Sequence, residues 1–345
     1  MATPVSAPHS RFAIRAATAA DTDDVAQLIR EMIPGVAADR RLEWMYYANP
    51  AGRALTWIAS EGGEIAGCTS YFPWRLVLDG QPVLGALGGD GYVRPKFRRR
   101  GLGALLHDAA RDGMQSAGMH CMYGAPGAMN VTPLKHAGSR ELGHVARWVR
   151  PLRGAALGVK QPPLDRLVRG VLRPRFVAKL EPMVPADDRV DEVWRAFSPT
   201  VQLAAVRDAT FYTWRFLAAP AQHQRAFVIT DKGGALGACA LELINEGRWL
   251  RIIDLIARPG AWHRCLAAIT AHAASTTEAE LVDIKLMALD GRRRHMWRTG
   301  FIERESKPFL AVIPSGGDRR FLDPTRWFYS GADSDVDTFD SPPAG

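Results

Sequence analysis

Val93-Arg94-Pro95-Lys96-Phe97-Arg98-Arg99-Arg100-Gly101-Leu102-Gly103 runs directly into Ala104-Leu105-Leu106-His107-Asp108-Ala109-Ala110, and this junction decides how the chain is read. A strand-like run ends at Val93, basic residues crowd the turn, two glycines follow, and a helical pattern begins. Glycines let backbone approach a ligand closely, the first helical turn offers N–H groups without intrahelical acceptors, and the helix dipole favours an anion there. The arginines add charge-assisted hydrogen bonds. The junction therefore reads as a cradle for a pyrophosphate. A nucleoside-triphosphate loop would need Lys and Ser/Thr after the second glycine, where Ala104 and Leu105 stand; a dinucleotide fingerprint would need a third glycine at Leu106.

The 345 residues, 47% of them hydrophobic, suffice for two cores of ordinary size. No uninterrupted apolar run of about 18 residues occurs, so neither a secretion signal nor a membrane span is indicated, and a cytoplasmic protein is expected. Cys68, Cys121, Cys239 and Cys265 are far apart and lack metal-ligand spacing, so buried reduced thiols and no metal site are expected. The net charge of +8 is concentrated: residues 151–180 carry seven Lys/Arg against Asp165 alone. Within that segment Leu164, Leu167, Val168, Val171 and Leu172 fall at helical spacing after Pro162-Pro163, which reads as a short basic amphipathic helix. It would dock on the flanking domains or make a peripheral contact with an anionic membrane or glycolipid. No nucleic-acid motif or aromatic stacking platform accompanies the charge, so a nucleic-acid partner is not expected.

Four landmarks recur in the same order. Trp44-x-Tyr46-x-x-x-Pro50 returns as Trp214-x-Phe216-x-x-x-Pro220, and Gly67 and Gly237 each lie 23 residues after their tryptophan. Val93-Arg94-Pro95 is echoed by Ala257-Arg258-Pro259, and the segment before Gly138 by the one before Gly300. This points to two copies of one fold. After Pro259 come Gly260-Ala261-Trp262-His263, without the arginine run or second glycine, so the second copy is expected to have lost the cradle. Periodicity and punctuation predict a strand at 12–15, a helix from Thr18 or Asp21 through Met32, and a second helix holding Leu42, Trp44, Met45 and Tyr46. Strands follow at 54–59, 65–78 and 83–93, then a helix after Gly101 and a strand near 120–124. Thr132-Pro133 reads as a helix N-cap with proline at the first position.

Arg98, Gly101 and Gly103 match the Arg/Gln-x-x-Gly-x-Gly/Ala loop of the GNAT superfamily of N-acetyltransferases, and the element order resembles the GNAT core. The resemblance covers residues 12–150 well and 186–313 more loosely. It implies an α/β chain with an α+β mixed sheet, built as two tandem GNAT-like domains of which the C-terminal one is degenerate. The expected division is a GNAT-like acyl-CoA-binding domain at 1–150, the basic connecting segment at 151–185, the degenerate domain at 186–315 and a partly disordered tail at 316–345.

The resemblance also implies acetyl-CoA, or another acyl-CoA, as donor. Tyr92, Val93, Arg98, Arg99, Arg100, Gly101, Leu102, Gly103, Ala104 and Asn130 would contact it, and the main-chain N–H of Val93 would hold the thioester oxygen. The acceptor would be an amine of a small molecule or amino sugar attacking directly in a ternary complex. Asp90, inside Gly88-Gly89-Asp90-Gly91, either has a catalytic or acceptor-binding role or is a turn former; alternation puts it opposite Val93 unless a bulge intervenes. The family's tyrosine acid falls at Leu134 here, leaving Tyr123, His136, Tyr71 or solvent as candidate donors. Two other readings stay open: a non-catalytic acyl-CoA-binding regulatory module, and a tandem-fold acyltransferase for a large cell-envelope or glycolipid acceptor. Oligomeric state is not legible.

Overall fold

The computed structural model describes residues 11–158, 178–220, 223–287 and 292–335. The expected amphipathic helix at 163–172 lies outside these residues.

The first half follows the predicted order. Strand β1 (Ala13–Ala16) leads through a short 3-10 turn into helix α1 (Thr22–Met32), whose Val25, Leu28 and Ile29 face the core. One α-helical turn, α2 (Ala38–Arg41), continues as a π-helix over Leu42–Tyr47, where a single plain helix was expected. Strands β2 (Leu55–Glu61), β3 (Glu64–Leu78) and β4 (Gln81–Val93) form an antiparallel meander joined at Gly62-Gly63 and Asp79-Gly80, all with positive φ. Helix α3 (Leu102–Ser116) crosses to β5 (Met122–Gly124), followed by α4 (Ala128–His136) and β6 (Arg140–Pro151).

The second half repeats this order: β7 (Lys179–Pro182), a helix at Asp188–Phe197, a short β8 (Leu203–Ala205), and an α-helical turn Ala209–Tyr212 that again continues as a π-helix, Thr213–Leu217. Strands β9 (Gln224–Asp231), β10 (Gly234–Ile244) and β11 (Trp249–Ala257) form the second meander. The helix Trp262–Thr276, β12 (Leu281–Met287), the helix Arg292–Arg298, β13 (Ile302–Val312) and β14 (Trp327–Ser330) complete the described chain.

The duplication holds at atomic detail. A Cβ on Gly67 would meet the Tyr92 carbonyl oxygen at 2.4 Å, and one on Gly237 the Ile256 oxygen at 2.7 Å, so glycine is obligatory at both. The Arg94 guanidinium donates to the Ile65 carbonyl and Glu31, and that of Arg258 to the Ala235 carbonyl and Glu192. Trp44 and Trp214 stack at 5.2 Å, each indole N–H donating to the other's carbonyl at 2.8 and 3.1 Å. Such reciprocity is what a pseudo-two-fold axis passing between them requires.

The two sheets are fused by exchange of their last strands. The order β4-β5-β13-β6-β12-β11 places β13 against β5 of the first copy and β6 against β12 of the second. Strands β8 and β14 then link β3 to β12, so the pairings close a ring. Within the tail expected to be partly disordered, the described part up to Asp335 packs against the core: Phe328, Tyr329, Ser330 and Asp333 are buried. Its few apolar residues hid this, because the segment is held by polar bonds. Ser330 Oγ donates to Asp254, and Arg207 pairs with both Asp254 and Asp333.

Trp214→Ala removes a buried ring and one of the two reciprocal bonds across the pseudo-axis, and is expected to cost about 3–5 kcal/mol. Trp297→Ala, at a largely exposed ring, should cost less than about 1 kcal/mol. Urea unfolding checks both.

Candidate functional site

The site is created by an irregularity in β4. Its register against β3 shifts between Cys68 and Ser70, leaving Asp90 and Gly91 opposite Thr69 alone. This is the bulge that the surrounding glycines suggested, and Asp90 takes a φ of +47° in it. Just before it, β4 parts from β5: the two strands pair only at Ala86–Met122 and Leu87–Tyr123. The gap between the diverging strands holds a cavity of about 200 Å³, and a cleft of about 390 Å³ adjoins it along α3 and α4.

The cleft contains most of the predicted cradle. Tyr92, Val93, Arg98, Arg99, Gly101, Leu102, Gly103 and Ala104 line it, facing Asn130 and His136 from α4. Arg98 is fixed by its Nε donating to the Val93 carbonyl at 2.8 Å and by its guanidinium lying over the Tyr92 ring. Arg99 and Gly101 both have positive φ, which turns successive N–H groups to one side ahead of the first helical turn. A Cβ on Gly101 would meet nothing within 4 Å, so its left-handed φ of +77° is what calls for glycine. At Gly103 a Cβ would sit 3.4 Å from that of Pro133 on α4, an ordinary contact, so the close approach of α3 and α4 there does not by itself demand glycine.

Two expectations are corrected here. Arg100 does not line the cleft; it turns back to pair with Glu61 and covers the Phe12 ring at 4.6 Å. Thr132 is not an N-cap: α4 begins four residues earlier, with Gly127 as its cap and Pro133 inside the helix. Proline signals a helix start only when nothing upstream is helical, and here Gly127 already releases the chain into the turn. The earlier start puts Asn130 in the first turn, bordering both cleft and cavity.

In the cavity, Asp90 is not an available proton acceptor. Arg41 Nε and Nη2 donate to its two oxygens at 2.9 and 2.8 Å, and the Tyr46 hydroxyl donates at 2.8 Å, all fully buried. Burial alone would lower the Arg41 pKa, but the paired Asp90 carboxylate outweighs it and the net direction is up. Asp90 thus anchors the bulge through a buried ion pair. Tyr123 does line the cavity; its ring packs against Trp327, Phe309 and Tyr329, its hydroxyl is buried, and burial pushes its pKa well above the usual value, so it stays protonated. His136 lies on the exposed side of the cleft and does not reach the cavity.

Three residues at this site were not singled out from the sequence. Arg41 stands 49 residues from Asp90, and only the fold joins them. Asp335, in the C-terminal segment, reaches across the molecule to accept from Arg41 at 3.2 Å and borders the cavity over Gly89, where a Cβ would lie 2.6 Å from its Oδ2. His107 sits on α3 between cleft and cavity; burial lowers its pKa to about 4, so the imidazole is neutral at pH 7. The helical spacing of His107 was legible, but the cavity it faces was not.

Comparison with known proteins agrees with this geometry. Residues 13–133 match the acetyltransferase (GNAT) domain model. The chain superimposes over most of its length on solved structures. A GCN5-related N-acetyltransferase from Anabaena variabilis matches with a TM-score of 0.65 at 14% identity, covering 88% of this chain and 72% of that one. One from Kribbella flavida matches with 0.60 at 17%, covering 88% and 71%. The N-myristoyltransferase of Saccharomyces cerevisiae, with bound myristoyl-CoA, matches with 0.57 at 12%, covering 90% and 85%. This chain is a tandem GNAT fold. No curated protein matches it in sequence. In the second copy β11 and β12 also part beyond Ile252–Ile284, and there Tyr329 and Ser330 pair with β12 while Gly331 lies against the Ile253 backbone, so the corresponding gap is occupied by the chain itself. Among the described residues no cluster fit to hold a metal occurs, and no helix is long and apolar enough to cross a membrane.

Arg41→Met leaves Asp90 as an unpaired buried charge and is expected to destabilise the protein by about 3–5 kcal/mol in urea unfolding. His107 binds a proton near pH 4 when folded and near 6.5 when unfolded, so the unfolded state holds more protons in that window and acidification through it is destabilising. In His107→Gln the loss of stability between pH 6.5 and 4 should shrink, by at most about 3 kcal/mol.

Proposed function

We propose that the protein is an acyl-CoA-dependent N-acyltransferase, with acetyl-CoA as the first donor to test, whose N-terminal copy carries the reaction. The observation that supports this most is the adjacency of two spaces that share the lining residues Thr69, Gly91, His107 and Asn130: a cleft bordered by the Arg98–Gly103 loop and the start of α3, and a cavity between the diverging strands. The pyrophosphate would lie against the left-handed loop and the first-turn N–H groups, with Arg98 and Arg99 beside it. The pantetheine arm would run along the edge of β4 that β5 leaves unpaired beyond Leu87, which offers main-chain donors to amide and thioester oxygens. Val93 and Tyr92 lie on that edge, and Asn130 faces it.

The acceptor amine would enter the cavity. Its nitrogen lone pair forms the C–N bond, the C–S bond breaks with its electron pair going to sulfur, and the proton lost from nitrogen ends on the thiolate. Tyr123, held protonated, and Asp335 are the cavity groups able to orient the amine. A cavity of this size suits a small amine, since about 150 Å³ holds a benzene. A second reading is favoured by the engagement of Asp90: with that carboxylate committed to Arg41, the domain would bind acyl-CoA as a regulatory module without turnover.

Calorimetry with acetyl-CoA, run beside thiol release on a panel of small amines and amino sugars, tests both. Binding with thiol release supports the transferase, binding without release supports the module, and no binding overturns the acyl-CoA reading. Gly101→Asp forces a side chain into a left-handed turn and sets a negative charge beside the phosphates. It should weaken binding at least tenfold, about 1.4 kcal/mol.

A further inference from the structure

Four residues line both cleft and cavity and so stand at their shared boundary, here called the throat: Thr69 and Gly91 from the sheet, His107 from α3 and Asn130 from α4. An acyl-CoA with its phosphates at the start of α3 and its acyl group in the cavity must pass its sulfur through this throat; the inference rests on the acyl-CoA reading above. Of the four, His107 alone has a titratable side chain. Its Nδ1 is buried without a hydrogen-bond partner, a condition protein interiors avoid unless a ligand or water completes it.

The ionisable groups nearby are otherwise disposed. Asp90 on β4 is bound by Arg41 and Tyr46, Asp335 also accepts from Arg41, and Tyr123 borders the cavity but not the cleft. The Cys68 thiol is pushed up to about 12 by burial. Arg98, Arg99 and His136 stand at the outer part of the cleft.

We propose that His107 is a catalytic residue, its neutral imidazole donating a hydrogen bond to the acyl-CoA sulfur as the C–S bond breaks. The imidazole keeps its proton over the cycle: it stabilises the electron pair arriving on sulfur, and the proton that finally protonates the thiolate is the one lost by the attacking nitrogen. A neutral imidazole serves as such a donor without adding a charge that would compete for the site.

The test needs no knowledge of the acceptor. The thiol of free CoA bound to the protein is titrated by the ultraviolet absorbance of its thiolate, in wild type, His107→Leu and His107→Gln. Asp90 and Asp335 oppose thiolate formation and the loop arginines favour it, but both sets are unchanged in the variants. The bound thiol should be more acidic in wild type than in His107→Leu, with about tenfold more thiolate at a fixed pH below the transition. His107→Gln, which keeps an N–H donor, should fall between them. Adenosine 3′,5′-bisphosphate, which lacks the pantetheine arm, should bind all three equally. The same thiol acidity in wild type and His107→Leu overturns the proposal while leaving the acyl-CoA reading intact. Failure of wild type to bind CoA at all overturns both. If His107→Leu does not fold, His107→Phe takes its place in the comparison.

Discussion

Strand exchange is the constraint on which the rest of the molecule depends. A strand inside a sheet needs hydrogen-bond partners on both edges, and here β5 finds one of its partners in β13, a strand encoded nearly two hundred residues later. Likewise β6 finds β12 and not its own β5. Neither copy can complete its sheet alone, so the two halves are one folding unit, and the reciprocal Trp44–Trp214 pair sits where that unit's pseudo-symmetry demands equal contacts from both sides. The site inherits its rigidity from this arrangement. β5 is only three residues long, yet it is held firmly enough on its far side to leave its near side open beyond Tyr123.

The difference between the two gaps follows from a single segment. The chain after β13 returns through β14 and runs across both gaps. In the second copy Ser330 and Gly331 enter the gap itself, Ser330 bonding to Asp254 and Gly331 lying directly on the Ile253 backbone. At the first copy the same segment arrives only at the rim, contributing Tyr329, Ser334 and Asp335 as walls. The second copy thus differs from the first in two places: the chain after Pro259 lacks the arginine run, and its gap is occupied by Ser330 and Gly331.

Each gap is braced by a buried aspartate held by an arginine and a tyrosine: Asp90 by Arg41 and Tyr46, Asp254 by Arg207 and Tyr212. In both repeats the arginine stands five residues before the tyrosine and the aspartate three residues before the Val93 or Ala257 landmark, so the arrangement is itself part of the duplication. Desolvating a carboxylate is costly, and only a complete set of donors makes it tolerable. The bulge in β4 is therefore kept by a network reaching from α2 to the C-terminal segment.

Much of the fold was legible in the sequence because it is written in local terms. Alternation gave the meanders, the arginine run with Gly101 marked the turn into α3, and the repeated tryptophan, glycine and proline landmarks gave the duplication. The glycines around Asp90 even announced a bulge. What the sequence placed wrongly was long-range or polar. The start of α4 was misread because proline is a weak signal once helix has begun upstream; Arg100 was drawn into the cradle by proximity in sequence, while Glu61, across the sheet, claims it in space. The C-terminal segment looked solvent-loving because its attachment relies on Ser330, Asp333 and Asp335, residues whose partners lie more than seventy positions away. Local spacing determined the elements and the loop; the tertiary structure alone decided which strand fills which edge, and therefore where the cavity opens and which side chains face it, because hydrogen-bond completion and buried charge pairing are settled between segments that the sequence keeps far apart.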